Sequence, residues 1–434
     1  MIVSPADYRR VHFVGIGVSG SDSSRGDQIE ALAALGAAVY VGHNADNLDG
    51  AGLVVATSAA SLDNAEIIEA RARGIPVIKR SDLLASILNP LRGIAVAGTH
   101  GKTTTSALIA WILTSAGLDP SVLIGGISSN LGSNARLGRS DVVVAEADEY
   151  DGSFLKLEPE IAVITNVEAD HLDYYETEER MRSAFADFAA RTTGSLIVCS
   201  DDRFLASLRT DVELVTYGTG TADWRIVDVQ EDRDVTSFAL THGNATERFT
   251  TRLAGKHNAT NATAAIVVAS LLGLPTAKIR DAVASFSGTA RRFECKGKAG
   301  DVLVVDDYAH HPTEIRVNLE AARRRFSRPV RLVFQPHTYS RTKSLMDGFV
   351  SAFQGADSVY LMDIYAARET DTLGITGEDL AKAAMRVHPG VRYTKDPEST
   401  VAAVALEARP GDLILTMGAG DVDRLGPQIL EALG

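Results

Sequence analysis

Short apolar runs alternate with stretches of helical periodicity along most of the chain, a pattern typical of parallel-sheet α/β proteins. Before Asn89-Pro90 the pattern predicts strands at 11–16, 38–41, 53–56 and 76–78, and helices at 28–35, 64–73 and 83–88. Proline disfavours helical geometry in the residue before it, so this dipeptide predicts a domain boundary near residues 91–93.

Two further units follow this boundary. The second is predicted to contain strands at 94–97, 142–145 and 161–165, a helix at 103–116, an antiparallel insertion within 225–253 and a helix after Gly255. The third begins near Ala290, with strands at 302–306, 330–334, 358–362 and 413–416 and helices at 314–325 and 377–385. The sequence therefore predicts an α/β protein of three domains, residues 1–92, 93–289 and 290–434.

Composition and charge narrow the function. The 434 residues carry a formal net charge of -13, which argues against a protein that coats nucleic acid or an anionic membrane. The two cysteines, Cys199 and Cys295, lie outside any C-x-x-C pair, which argues against a disulfide framework or structural zinc and favours the reducing cytoplasm. Since no apolar run approaches the roughly 20 residues of a membrane helix, we expect neither export nor insertion.

The strongest chemical signal is the run Gly98-Thr99-His100-Gly101-Lys102-Thr103-Thr104, placed where a predicted strand ends and a helix begins. Glycines let backbone N–H groups surround phosphate oxygens, Lys102 reaches the outer phosphates, and the Thr103 hydroxyl suits Mg²⁺. Val96 occupies the position of the first glycine in the usual pattern, G-x-x-x-x-G-K-[ST], so this loop is a shortened version of that pattern. A glycine-rich turn without function is the disfavoured alternative, because strand, Lys-Thr pair and helix are in register.

Acidic and polar residues follow the next predicted strands. Glu146 ends the strand at 142–145, and Asn166 and the run Asp170-His171 follow the strand at 161–165. The carboxyl ends of parallel strands face one crevice, so we expect these side chains near Lys102, where oxygen ligands suit the Mg²⁺ that accompanies ATP. Taken singly, such residues are more often solvated loop residues or helix caps.

Three more polar clusters lie at predicted element ends. One opens the helix after Gly255 and contains His257, Asn258 and Asn261, for which helix capping remains an equal alternative. The other two, in the third unit, are Arg291-Arg292 with the run Asp306–His311, and the run Gln335–Lys343 after the strand at 330–334. Histidine and arginine are more often surface or capping residues, but together these clusters indicate one active-site face.

These motifs, in this order, resemble the Mur ligase family over nearly the whole chain. The resemblance is carried by Gly98–Thr103, Glu146–Glu149, Asn166 with Asp170-His171, Gly255–Asn261 and Asp307–Pro312. Phe334–His337, Tyr339–Thr342 and Asn134–Gly138 are similar to the member that adds L-alanine to UDP-N-acetylmuramate. The run Glu149-Tyr150-Asp151 is equally similar to the tripeptide-adding member of cell-wall recycling.

The resemblance implies a Rossmann-like N-terminal domain, a central P-loop ATP-binding domain and a C-terminal Rossmann-like domain. It also implies ATP-dependent amide formation through an acyl phosphate in peptidoglycan synthesis, with Mg²⁺, UDP-N-acetylmuramate and L-alanine, by a cytoplasmic monomer or homodimer. The catalytic residues implied are Lys102, Glu146, His171, His310 and Arg341, and the metal-linked ones are Thr103, Glu146 and His171. The ATP-binding residues implied are Gly98, Thr99, His100, Gly101, Lys102, Thr103, Thr104, His257, Asn258, Asn261, Arg292 and Asp307. Those implied for the UDP-sugar and amino acid are Gly15, Gly17, Tyr308, His310 and Arg341.

The N-terminal segment departs from the family. Gly15-Ile16-Gly17 runs directly into Val18-Ser19-Gly20-Ser21-Asp22, where the family has a helix between the two. A parallel crossover needs about a dozen residues, so residues 18–21 cannot form the next parallel strand beside 11–16. We interpret Gly15-x-Gly17-x-x-Gly20 as a loop that leads to the helix at 28–35, and expect this domain to lack one βα unit.

Three functions therefore stay open. They are the alanine-adding ligase, the tripeptide-adding ligase, and an ATP-binding protein with impaired UDP-sugar binding. The sequence does not identify the residues that would select alanine over serine or glycine. One methyl group contributes only about 1–3 kcal/mol to such discrimination.

Overall fold

The computed structural model describes residues 17–434 except 24, 58, 59, 62, 234 and 368, and except the side chains of 27 and 28. The predicted strand at 11–16 and Gly15 lie outside the described residues. The contacts divide the chain into two compact units. The first comprises residues up to Ala169, Tyr174–Tyr217 and Ala264–Ala282, and the second comprises Asp170–Asp173, Gly218–Thr263 and Val283–Gly434.

Before residue 290, the described residues contain the predicted strands and helices together with further elements that the sequence did not predict. The strands are β1 Ser19–Asp22, β2 Ala38–Val41, β3 Val54–Ala56, β4 Val77–Lys79, β5 Arg92–Ala97, β6 Ser121–Ser128, β7 Ser133–Arg136, β8 Val142–Glu146, β9 Ile161–Ile164, β10 Ser195–Cys199, β11 Glu213–Gly218, β12 Trp224–Glu231, β13 Thr236–His242 and β14 Ala245–Thr251. The helices are α1 Asp27–Ala34, α2 Ala65–Ala72, α3 Arg80–Leu88, α4 Lys102–Ala116, α5 Leu172–Tyr175, α6 Glu178–Ala190, α7 Arg203–Ser207, α8 Lys256–Leu271 and α9 Thr276–Ser285.

The start of the described chain corrects one expectation. β1 pairs in parallel with β2, with Ser19 opposite Ala38, and α1 connects the two strands. Gly20 therefore lies in a strand, and the interpretation of Gly15-x-Gly17-x-x-Gly20 as a loop leading to the helix was wrong. Glycine adopts extended geometry without strain, and the neighbouring Ser21 is buried. Pairing with β2 therefore stabilises this segment as a strand. β3 and β4 form a second parallel pair.

Seven strands of the first unit form one sheet in the order β11-β10-β9-β5-β8-β6-β7. All neighbours are parallel except β6 and β7. β5 lies in the interior of this sheet, and its residues 94–97 are buried, which explains why the sequence showed a continuous apolar run there. The carboxyl ends of β5, β8 and β9 lie at one edge of the sheet, as predicted.

The second unit contains two sheets. Strands β12, β13 and β14 are antiparallel, as the alternating pattern of residues 225–253 predicted. Six strands form a sheet in the order β15-β16-β20-β17-β18-β19, in which only β15 is antiparallel to its neighbour. These strands are β15 Glu294–Ala299, β16 Val302–Asp307, β17 Val330–Phe334, β18 Ser358–Met362, β19 Val391–Lys395 and β20 Leu413–Met417.

Helices cover both faces of this six-stranded sheet. They are α10 Pro312–Phe326, α11 Tyr339–Ser344, α12 Met346–Ala352, α13 Gly377–Met385, α14 Pro397–Glu407 and α15 Leu425–Ala432. One core contains Phe334 and Phe349, and the core on the other face contains Val333 and Tyr360, because successive strand residues point to opposite faces. The predicted α/β class is confirmed. Among the described helices, none combines the length and hydropathy that crossing a membrane requires.

Candidate active site

The loop between β5 and α4 has the backbone geometry that the glycine pattern predicted. Gly98 has φ +130°, and a Cβ at this position would overlap Thr165 Oγ1, so only glycine fits. Gly101 precedes the helix with φ +82°. The His100 N–H donates to Asn166 Oδ1 at 2.9 Å, and Asn166 Nδ2 donates to the His100 carbonyl at 3.0 Å. The residues after β9 therefore hold this phosphate loop in place.

Lys102 lies inside the phosphate loop and is fully engaged. Its Nζ donates to the carbonyls of Gly98 at 2.7 Å and Thr99 at 3.3 Å, and to Glu149 Oε1 at 2.8 Å. Burial raises the pKa of Glu149 to about 7, although Lys102 opposes the shift. Burial alone would lower the pKa of Lys102, but Glu149 and its acidic neighbours hold it above the ordinary value. The ammonium therefore stays charged.

The next residue of the loop, Thr103, contacts the predicted metal-linked carboxylate. Thr103 Oγ1 donates to Glu146 Oε1 at 3.1 Å, and Glu146 Oε2 accepts from the Gly125 N–H at 2.8 Å. A carboxylate beside a hydroxyl is a hard oxygen donor set, which fits Mg²⁺. Thr104 is buried in the first turn of α4.

The other two loop residues contact Glu168, which follows β9. Thr99 Oγ1 donates to the Glu168 carbonyl at 3.1 Å. The His100 ring Nε2 lies 3.2 Å from Glu168 Oε2. These contacts tie the loop to the segment after Asn166 and give the side chains of Thr99 and His100 structural partners.

A separate cavity of about 770 Å³ lies in the N-terminal part of the first unit, a volume in the range of small-molecule sites. Its lining includes Gly17, Tyr40 and Asn47. It also includes Glu66, whose carboxylate accepts from Ser21 Oγ at 2.7 Å and from Asn47 Nδ2 at 2.7 Å. Burial would raise the pKa of Glu66, but these hydrogen bonds lower it, so the carboxylate is ionised at neutral pH.

In the second unit, Arg341 forms a buried ion pair with Asp170. Nε and Nη2 donate to the two carboxylate oxygens, both at 3.1 Å, and Nη1 lies 3.1 Å from His337 Nδ1. Burial alone would raise the pKa of Asp170, but Arg341 and the nearby histidines hold it well below its usual range. The predicted metal-linked His171 belongs to this unit, and its backbone N–H donates to Asp170 Oδ1 at 2.8 Å.

His310 lies in the same group of residues as a neutral imidazole. Burial and the charge of Arg341 lower its pKa to about 3. Its Nδ1 is 3.0 Å from the Tyr308 carbonyl, so Nδ1 carries the proton and donates, and Nε2 keeps its lone pair. The Arg292 guanidinium lies 5.3 Å from the centre of the Tyr308 ring and 3.7 Å from Glu314 Oε1.

Asp307 is buried at the end of β16 and stabilises the loops around it. Its oxygens accept from the backbone N–H groups of Ala309 at 2.7 Å and Phe293 at 2.8 Å. Burial raises its pKa to about 6, against the lowering effect of Arg292. The carboxylate therefore fixes the segments that carry Arg292 and Tyr308.

The residues at the start of α8 are buried together. Asn258 Nδ2 donates to the Ala254 carbonyl at 2.7 Å, and Asn261 Nδ2 donates to Asn258 Oδ1 at 3.1 Å. His257 Nδ1 is buried without a hydrogen-bond partner among the residues that the structure describes. Burial lowers the pKa of His257 to about 4, so the ring is neutral. Their contact with adenine stays a prediction.

Two carboxylates in these clusters had no assigned role in the sequence reasoning. Glu149 pairs with Lys102 across 47 residues, and no local signal points to that contact. Glu314 accepts from the backbone N–H of His310 at 3.1 Å and completes a capping box with His311 at the start of α10. Glu314 lies three residues after His311, which directly precedes Pro312, and this spacing is typical of a capping box and could have identified Glu314 from the sequence.

Three family models match successive segments of the chain. They are the Mur ligase family catalytic domain at residues 5–92, the Mur ligase middle domain at 96–269 and the Mur ligase glutamate ligase domain at 291–420. The UDP-N-acetylmuramate–L-alanine ligase of an Anaeromyxobacter species is 44% identical over 448 residues, covering 98% of this chain and 98% of the relative. That of Koribacter versatilis is 44% identical over 458 residues, covering 99% and 98%. Both alignments exceed the 434 residues of this chain, so these relatives have residues without a counterpart here.

Solved structures agree with these matches. The UDP-N-acetylmuramate-alanine ligase of Thermotoga maritima is 28% identical, has a TM-score of 0.84, and is matched over 98% of this chain and 95% of its own. A murein peptide ligase of Psychrobacter arcticus is 25% identical with a TM-score of 0.74, over 99% of this chain and 96% of its own. On the three segment matches and the near full-length identity, the chain belongs to the Mur ligase family, with that family's three-domain fold.

Proposed function

We propose that this protein is an ATP-dependent ligase that joins L-alanine to the lactyl carboxylate of UDP-N-acetylmuramate and releases ADP and phosphate. The reaction proceeds through an acyl phosphate and serves peptidoglycan synthesis in the cytoplasm, and thereby cell shape and division. The observation that carries the proposal is the phosphate loop, with Lys102 inside it and Thr103 against Glu146, in a chain 44% identical over 98% of its length to relatives named for this reaction.

The first unit would bind the phosphates of ATP. The N–H groups of the loop would donate to the phosphate oxygens, and the ammonium of Lys102, once it gives up one of its present partners, would neutralise their charge. Thr103 and Glu146 would hold Mg²⁺, and the metal-linked role of His171, which belongs to the second unit, stays a prediction of the resemblance. When bound, this ion supplies positive charge that offsets the charge developing during phosphoryl transfer. Holding two anions together in this way is largely a matter of positioning and electrostatics.

The second unit would hold the amino acid and the acyl end. Within the described residues, three of the five guanidinium N–H groups of Arg341 point to Asp170 and His337, which leaves two for a substrate oxygen. His310, with its lone pair on Nε2, accepts a hydrogen bond from the amino group of alanine and orients it. The amino nitrogen adds to the acyl carbon to form a tetrahedral intermediate, which expels phosphate as the bond from carbon to the phosphate oxygen breaks, and the proton that the nitrogen loses leaves with the phosphate. Tyr308 completes this part of the site.

The remaining predicted residues would contact the nucleotides. Arg292 and Asp307 would serve the γ-phosphate and the ribose, and His257, Asn258 and Asn261 would face the adenine. The cavity at Gly17 would take the UDP portion of the sugar nucleotide, with its lining residues Tyr40 and Asn47 as contacts. We propose the same domain limits that the sequence predicted, 1–92, 93–289 and 290–434.

The test measures phosphate release from ATP with UDP-N-acetylmuramate and one amino substrate, each component being omitted in turn. The amino substrates are L-alanine, L-serine, glycine and the tripeptide of the recycling ligase. We expect release that requires both the sugar nucleotide and L-alanine. A preference for the tripeptide would identify the recycling reaction, and release that depends on neither substrate would refute a ligase of this kind.

A second measurement addresses the shortened N-terminal segment. Calorimetric titration of UDP, with UDP-N-acetylmuramate as the matched ligand, reports whether the N-terminal cavity captures the nucleotide. We expect both to bind. Binding of ATP without either would favour an ATP-binding protein with impaired UDP-sugar binding.

A further inference from the structure

The ammonium of Lys102 has no N–H left for a phosphate. A lysine has three such donors, and in this structure they point to two loop carbonyls and to Glu149 Oε1. Lys102 can therefore contact a phosphate oxygen only if it gives up one of these partners. The two carbonyls belong to the phosphate loop itself and are neutral, whereas Glu149 is anionic and would face an approaching anion.

If Glu149 stayed ionised, the loss of Lys102 as its partner would be energetically unfavourable. It is 1% exposed, and Oε2 is buried with no hydrogen-bond partner within the described part of the chain. The charged and titratable groups near it are Lys102, Asp148, Glu146 and Tyr175, whose hydroxyl donates to the Glu149 carbonyl. Only Lys102 is cationic. Without it, both oxygens of Glu149 would be buried and unpaired, which strongly disfavours the charged form.

We propose that Glu149 is a positioning residue that holds Lys102 in the phosphate loop and releases it, by taking up one proton, when a nucleoside triphosphate binds. This inference rests on the proposed function, because it requires ATP at the loop. While the two side chains are paired, the carboxylate and the ammonium neutralise each other inside the protein. In the bound state Lys102 neutralises phosphate, and Glu149 becomes a neutral carboxylic acid.

The direction of the pH dependence follows from the environment of Glu149. With Lys102 as its partner, burial raises the pKa of Glu149 to about 7, so the group is mostly ionised at pH 8. Loss of Lys102 and arrival of an anion both raise that pKa further, so binding at pH 8 draws a proton from solution. Below pH 7 the group is already protonated and uptake falls. Nucleotide affinity therefore weakens as pH rises above 7, by up to about tenfold per pH unit.

The experiment is calorimetric titration of the full-length protein with the magnesium complex of a non-hydrolysable ATP analogue. Titrations at pH 8 in two buffers of different ionisation enthalpy give the number of protons taken up. We expect close to one proton for the wild type and for Asp148→Asn, and close to none for Glu149→Gln. Asp148→Asn is the matched control, because it removes a carboxylate that is next in sequence but exposed.

A second readout is the dissociation constant of the analogue between pH 7 and 9. We expect it to rise in the wild type and in Asp148→Asn, and to stay within twofold in Glu149→Gln after correction for the titration of the free analogue. Equal proton uptake in wild type and Glu149→Gln would overturn the proposal. Binding of the analogue to the wild type without proton uptake would also overturn it, and that measurement does not depend on a variant that folds. If the analogue does not bind the wild type at all, the proposed function fails first.

Discussion

Replacing Asp170 with asparagine removes one charge from the buried ion pair with Arg341 while keeping the shape of the side chain. The side chains of Arg341 and Asp170 are 8% and 9% exposed, and two parallel hydrogen bonds join them. Removing one partner of a buried pair leaves an uncompensated charge and costs about 3–5 kcal/mol. We expect Asp170→Asn to lower the free energy of unfolding by that amount.

The control is an exposed pair with the same two-bond geometry. Arg92 Nε and Nη2 each donate to one oxygen of Glu160 at 2.9 Å, but these side chains are 44% and 37% exposed. Exposed pairs contribute about 1 kcal/mol or less, because water screens them. Urea unfolding of wild type, Asp170→Asn and Glu160→Gln, followed by circular dichroism, should therefore separate the two variants clearly.

The pH dependence of the Asp170→Asn effect has a definite sign. The pKa of Asp170 in the folded protein lies below the ordinary aspartate value of about 3.9. Its stabilisation is therefore complete above that value and is lost as pH falls through the folded pKa. The difference between wild type and Asp170→Asn should be constant between pH 6 and 8 and shrink in acid. A cost at pH 7 no larger than that of Glu160→Gln would refute the reasoning.

Three further predictions concern the phosphate loop. Lys102→Ala should reduce ATP-dependent phosphate release at least about 100-fold, because it removes a charge that stabilises phosphoryl transfer. Lys278→Ala, at an exposed lysine, should change the rate less than twofold, and equal rates for the two variants would refute the assignment of the phosphate loop. Glu146→Gln should raise the Mg²⁺ concentration for half-maximal release, at least about tenfold, in a metal titration, since it removes one ligand charge; an unchanged midpoint would exclude Glu146 as a ligand. Gly98→Ala should lower the free energy of unfolding by about 1–3 kcal/mol and abolish binding of the ATP analogue, because φ is +130° and a Cβ would overlap a side chain after β9. Gly26→Ala, at an open position with negative φ, is the control and should change neither quantity when both variants are compared by thermal unfolding and calorimetry.

Burial explains why some strands were predicted with their correct limits, although the buried apolar runs of β6 and β10 were not predicted. The strands β17 and β18 have the predicted limits, because all or nearly all of their residues are buried and form uninterrupted apolar runs. The polar edge strands β7 and β15 were not predicted, because their sequences, SNAR and ECKGKA, carry no apolar run. Their pairing with neighbours makes them strands, and that information lies outside the segment.

The site divides in the same way between local and distant signals. The phosphate loop and Glu146 were predictable, because one motif and one strand end fix both. The contact between Lys102 and Glu149 was not, because a buried charge pair depends on how two loops meet and leaves no pattern along the chain. Asp307 has a structural role that the motif did not indicate, because its oxygens accept hydrogen bonds from two backbone N–H groups. Its part in ligand binding, which the resemblance implies, stays a prediction.

The start of the described chain separates two parts of the proposed function. The parallel unit of β1, α1 and β2 is complete within the described residues, and Gly17, just before β1, lines the N-terminal cavity. The phosphate loop lies after β5, at a different place in the chain. If the N-terminal cavity takes UDP, as we propose, a substitution in its lining should weaken UDP binding and leave the binding of an ATP analogue unchanged. Calorimetric titrations with the two ligands would test this, and equal losses of affinity for both would contradict it.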